Sequence, residues 1–119
     1  MGVEGSIHDL TKVSETPTGV VSAYLELLDR RLFRSAYYLL TQEDQEAVPI
    51  DTFTKDWLDE EKPMVTLEQT IQPPSFIKRG VAEVPVVTLY DGGIIINDDF
   101  TVVLEQRGWR IRLGFDEAL

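Results

Sequence analysis

The chain contains no cysteine among its 119 residues. This absence excludes a disulfide framework, a thiolate zinc site and a cysteine nucleophile. Histidine is almost as scarce, because His8 is the only one and it lies in a polar stretch beside Asp9. A metal site needs several ligands in a fixed geometry, so we predict no metal site and no cofactor.

Positive charge is also scarce, since 11 Lys and Arg residues stand against 21 Asp and Glu residues, for a net charge of −10. Binding to nucleic acid needs clustered basic side chains that displace counterions, so this acidic chain is not expected to bind it. The same charge opposes docking on anionic lipid. No apolar run reaches 18 residues, and we therefore predict no membrane insertion by this segment.

The composition is that of one globular domain, with 43% hydrophobic and 27% charged residues. Residues 1–15 are polar and without periodicity, so they are predicted to form a flexible arm before a single domain at 16–119. The start lacks the apolar core of a signal peptide. It is either a native polar leader or a replacement for a removed signal or anchor, and its Gly and Ser content favours the second.

Helical patterns fill the first half of the domain. Thr16 and Pro17 mark a helix start, because Thr caps helices well and Pro fits the first helical position. Apolar residues then recur at helical spacing to Leu28, and again from Leu32 to Leu40. The segment TQEDQEAVP at 41–49 is predicted to be a polar connection. Asp51 is predicted to cap a third helix.

The second half has the character of strands. Residues 64–71, 76–90, 94–106 and the stretch RGWRIRLGF at 107–115 are β-branched or alternate in polarity. Asp91-Gly92-Gly93 predicts a hairpin, and Asn97-Asp98-Asp99 predicts a turn that interrupts the third of these strands. Pro85 is expected at an edge, a bulge or a strand break.

Helices gathered ahead of strands indicate an α+β domain. We expect three N-terminal helices packed on the concave face of a curved antiparallel sheet of about four strands. Trp109, Ile111, Leu113 and Phe115 share one parity of the last strand and should face the helices.

The order of a Pro-started helix, FRSAYYLLT, a helix with Phe53 and Trp57, and strands ending in QRGWRI resembles the nuclear transport factor two-like superfamily. This is the cone-shaped fold of ketosteroid isomerase and scytalone dehydratase, and the resemblance covers residues 17–115. It is closest to small bacterial domains found on lipoproteins or outside the membrane, which implies an extracytoplasmic location. The dehydratases use a His and Asp pair, which His8 in the predicted arm does not match.

Six aromatic residues are candidates for a ligand pocket where the helices meet the sheet. Such pockets are apolar and aromatic with a few polar groups, so a small apolar ligand would fit them. The same spacing suits a filled core, which is the commoner arrangement. The six residues are Tyr24, Phe33, Tyr37, Phe53, Trp57 and Trp109.

Residues 81–90 carry apolar side chains on both parities, so both faces of the sheet need cover. A second copy of the chain would cover the outer face, as in the sheet-to-sheet homodimers common in the superfamily. We therefore favour a non-catalytic ligand-binding or protein-interaction domain. One alternative is an isomerase or cyclase that uses the Tyr24 or Tyr37 phenol with Glu105 or Asp116. A structural spacer of a larger extracytoplasmic protein is the other.

Overall fold

The computed structural model describes residues 14–59 and 65–114. Most of the predicted arm, and the candidate carboxylate Asp116, lie outside these residues. The described helices are α1 (Pro17–Asp29), α2 (Phe33–Tyr37), α3 (Gln42–Ala47) and α4 (Ile50–Leu58). The described strands are β1 (Thr66–Ile71), β2 (Ser75–Lys78), β3 (Val81–Tyr90), β4 (Ile94–Glu105) and β5 (Gly108–Arg112).

The strands form one antiparallel sheet in the order β1-β3-β4-β5. β2 pairs with the first residues of β3, on the same side of β3 on which β1 pairs with its last residues. Every second residue of β3 is buried from Ala82 to Thr88, as expected for a strand with one face in the core. We call this face inner, and it packs against the helices through Val84, Val102 and Ile111. The predicted α+β architecture of helices on an antiparallel sheet is confirmed.

The predicted start of α1 is confirmed in detail. The Thr16 hydroxyl accepts a hydrogen bond from the Gly19 amide at 2.9 Å, and Pro17 opens the helix. The start of α4 differs from the prediction, because Pro49 is the N-cap and Asp51 lies in the first turn. A carboxylate in that turn still complements the positive end of the helix dipole.

The polar connection predicted at 41–49 was wrong, since this segment contains α3. The Thr41 hydroxyl accepts from the Asp44 amide at 3.2 Å and so caps a helix of only six residues. Such a short helix has too few hydrogen bonds to be stable alone. Its contacts with the rest of the domain stabilise it, and periodicity does not record those contacts.

The turn predicted at 97–99 was also wrong, because β4 runs without interruption through these residues. Pro85 lies opposite Asp99 inside β3 and not at an edge. The Pro85 carbonyl accepts a hydrogen bond from the Gln72 amide at 2.9 Å. The backbone groups of Pro85 therefore point away from β4, towards the gap between the end of β1 and the start of β2. Because proline lacks an amide hydrogen only on that side, its presence in β3 removes no hydrogen bond to β4.

The free edge of β5 is covered by neighbouring backbone. Ile111 donates to the Leu39 carbonyl at 2.8 Å and accepts from the Thr41 amide at 2.9 Å. The Ser14 carbonyl accepts from the Trp109 amide at 2.9 Å, and Ser14 itself is buried. These bonds satisfy the groups that an open edge would offer to another chain.

Candidate functional site

Four of the six candidate aromatic residues form one continuous cluster between α2 and α4. Phe33 stacks on Trp57 with ring centroids 5.8 Å apart and planes only 11° from parallel. Trp57 meets the ring of Phe53 at 6.5 Å, and Phe53 meets Tyr37 at 5.4 Å. These are the offset and edge geometries that aromatic rings prefer. The structure therefore brings Phe33, Tyr37, Phe53 and Trp57 together.

The other two candidates lie apart from this cluster. Tyr24 meets Phe100 of β4 at 6.3 Å, and Trp109 meets Phe76 of β2 at 6.1 Å. Tyr24 is fully buried and Trp109 is 9% exposed, so both belong to the core between helices and sheet. The small apolar ligand expected for the six residues stays a prediction.

The two candidate phenols occupy different environments. The Tyr37 hydroxyl lies 2.6 Å from the carbonyl oxygens of both Gln45 and Val48, and its single proton is shared between these two acceptors. Burial, and then the neighbouring Tyr38, raise the pKa of Tyr37. Burial also raises the pKa of Tyr24 strongly, with a further contribution from the charge of Asp44. Both phenols are thus held in their protonated form.

The candidate carboxylate Glu105 joins elements at the end of the sheet. One of its oxygens accepts from the Gln42 amide at the start of α3, at 3.0 Å. The other pairs with Arg107 at 2.9 Å. Both oxygens therefore have partners that hold the β4–β5 connection against α3.

The buried carboxylate of Asp44 was missed by the sequence analysis. Its oxygens accept hydrogen bonds from the amides of Leu113, at 2.6 Å, and Gly114, at 3.1 Å. Asp44 is 1% exposed, and these two hydrogen bonds hold α3 against the residues that follow β5. Thr41 and Asp44 match the spacing of a capping box, which was the available signal for a helix at this place.

A second candidate site is a cleft of about 240 Å³ on the helical layer. It lies between the α1–α2 turn and the last turns of α4. Its apolar walls include Leu32 and Leu58, which are 41% and 55% exposed. The lining residues are Arg31, Leu32, Phe33, Arg34, Ser35, Thr54 and Leu58.

Within residues 14–59 and 65–114, no three His, Cys, Asp or Glu side chains are grouped so that they could hold a metal ion. In the same part of the chain, no helix has the length and apolarity needed to cross a membrane.

No protein-family model and no curated protein matches the chain. Among solved structures, it is similar to a Campylobacter jejuni protein described as an NTF2-like transpeptidase, with a TM-score of 0.61. The likeness covers 83% of this chain and 99% of the other. The chain has the NTF2-like fold.

This finding confirms the fold predicted from the resemblance to the nuclear transport factor two-like superfamily. The quoted motifs fall on elements of the NTF2-like fold, FRSAYYLLT on α2 and the residues after it, and GWRI on β5. The two sequences are only 15% identical. The likeness therefore concerns the fold, and an activity has to be argued from the side chains of this chain.

Proposed function

We propose that this NTF2-like domain is a non-catalytic interaction domain that forms a homodimer through the outer face of its sheet. The observation that carries the proposal is a set of apolar side chains on the face opposite the described helices. They pair across β3 and β4, with Val81 opposite Val103 and Leu89 opposite Ile95. We call this set the outer face: Val81, Val87, Leu89, Ile95 and Val103.

The arrangement of the outer face suits a self-complementary interface. Ile95 is 61% exposed in the single chain and the other four side chains are half-buried, so a partner on this face would remove apolar surface from water. Glu83 and Asp99 lie on the same face between the two apolar ends. A two-fold axis lets the apolar ends of the patch meet their own copies, and it brings the acidic Glu83 and Asp99 of the two chains near each other, which opposes association.

The roles of the candidate catalytic groups support a non-catalytic domain over an isomerase. The Tyr37 hydroxyl is hydrogen-bonded to backbone carbonyls. Both carboxylate oxygens of Glu105 are bonded, one to the Gln42 amide and the other to Arg107. Asp44 is the buried carboxylate whose charge contributes to the raised pKa of Tyr24, and it accepts hydrogen bonds from two backbone amides. Each group therefore has a structural task that a reacting substrate would have to displace.

Light scattering coupled to size exclusion tests the proposal with a matched pair of variants. Ile95→Glu places a charge in the outer face and is expected to convert a dimer to a monomer. Tyr38→Glu places the same charge at a similarly exposed residue, 48% exposed, on the helical layer, and should leave the dimer intact. A wild-type monomer at high micromolar concentration would contradict the proposal, as would equal effects of the two variants.

A further inference from the structure

The cleft on the helical layer combines apolar walls with positive charge on a chain whose net charge is −10. The Arg31 guanidinium lies 5.3 Å from the centre of the Phe33 ring. Leu32 and Leu58 add exposed apolar surface beside it. Apolar walls with one or two placed charges are the usual composition of a small-molecule site.

Both arginines of the cleft are available to an anion. Among the described residues, Arg31 has no acidic partner within ion-pair distance. Arg34 pairs with Asp51 at 3.0 Å, but both side chains are mostly exposed, at 62% and 88%. Exposed pairs of this kind contribute little to stability, so a ligand carboxylate can replace Asp51.

The backbone at Arg31 adopts a conformation that is unfavourable for a residue with a side chain. Arg31 has φ 60°, and it is the only non-glycine residue with positive φ in the described part of the chain. The Arg31 amide donates to the Leu28 carbonyl at 3.0 Å, and the Leu32 amide donates to the Leu27 carbonyl at 2.8 Å. This is the helix ending that normally carries glycine at the position of Arg31. Strain of this kind is concentrated at functional sites.

We propose that this cleft binds a carboxylate carried by a small apolar group. The guanidinium of Arg31 would receive the carboxylate, since its planar fork of donors matches two carboxylate oxygens. The apolar group would lie between the exposed side chains of Leu32 and Leu58. The cleft has a volume of about 240 Å³, which is enough room for a branched or aromatic acid.

The test is an amide chemical-shift titration of the labelled protein. 4-Methylpentanoate represents a free acid, and N-acetyl-leucine represents the C-terminal residue of a peptide. Saturable shifts at residues 31–35 and 54–58 with either acid support the site, and the tighter of the two identifies the source of the carboxylate. The corresponding neutral amides should give no saturable shifts. Equal binding of acids and amides would overturn the proposal.

Variants separate the charge of the cleft from that of the whole surface. Arg31→Gly removes the guanidinium at a position that glycine suits, and it should weaken binding at least tenfold. Arg30→Gln is the matched control, because Arg30 lies next in the chain, pairs with Glu26 at 3.3 Å and does not line the cleft. Unchanged binding in Arg31→Gly, or equal losses in both variants, would overturn the proposal. The cleft lies on the layer opposite the outer face, so this result is independent of the light-scattering result.

Discussion

Replacing Arg31 tests the backbone strain at the end of α1. A side chain in the left-handed conformation costs about 1–2 kcal/mol, which Arg31→Gly removes and Arg31→Ala keeps. Glycine in turn loses about 0.5–1 kcal/mol more conformational entropy on folding than alanine. Both variants lose the contact with Phe33, worth about 0.5–1 kcal/mol at an exposed site. At the midpoints of these ranges, Arg31→Gly should therefore be more stable than Arg31→Ala by about 0.75 kcal/mol.

Urea unfolding followed by circular dichroism measures this difference. With a slope of about 1.5 kcal/mol/M, the midpoint of Arg31→Gly should exceed that of Arg31→Ala by roughly 0.5 M. The slopes should agree, because the same surface is exposed on unfolding. An alanine variant as stable as the glycine variant would refute the backbone strain at Arg31.

Three further predictions concern groups that hold the domain together. Gly108→Ala should destabilise the fold by about 1–3 kcal/mol in thermal unfolding, and more than Gly92→Ala. Both glycines have positive φ, but only at Gly108 would a new Cβ lie 2.8 Å from Ser14. Asp44→Asn should lower the free energy of unfolding by about 1.5–3 kcal/mol, because two backbone amides lose a charged acceptor. Burial raises the pKa of Tyr24 in the folded protein. As the pH rises above 10, the phenol therefore ionises in the unfolded chain while it stays protonated in the folded one. Stability should then fall with rising pH by about 1.4 kcal/mol per unit from this residue alone, and Tyr24→Phe should remove that share of the slope.

The features predicted correctly are those encoded by adjacent residues. The cap at Thr16 needs only a hydroxyl and an amide three residues away. The hairpin at Asp91-Gly92-Gly93 needs only residues that tolerate positive φ, and both glycines adopt it. At these two places the local chemistry agrees with the rest of the fold, so adjacent residues are enough to predict the structure.

The features that were missed depend on contacts between distant residues. α3 is held by Asp44 bonding to the chain after β5, about 70 residues away. Asn97, Asp98 and Asp99 have the composition of a turn, but pairing with β3 on one side keeps them extended. The candidate aromatics were identified from spacing alone. In the structure, four of them form one cluster at α2 and α4, and the other two make separate contacts with the sheet. This division depends on how the helices pack on the sheet, which spacing does not specify.

Distances between spin labels on two copies test the proposed homodimer most directly. The chain has no cysteine, so a single cysteine at Asn97 on the outer face, or at Tyr38 on the helical layer, can be labelled alone. Sheets packed face to face lie about 10 Å apart, so the Asn97 labels should be closer to each other than the Tyr38 labels. Tyr38 labels closer together than Asn97 labels, or no coupling between copies at either site, would contradict the outer face as the interface.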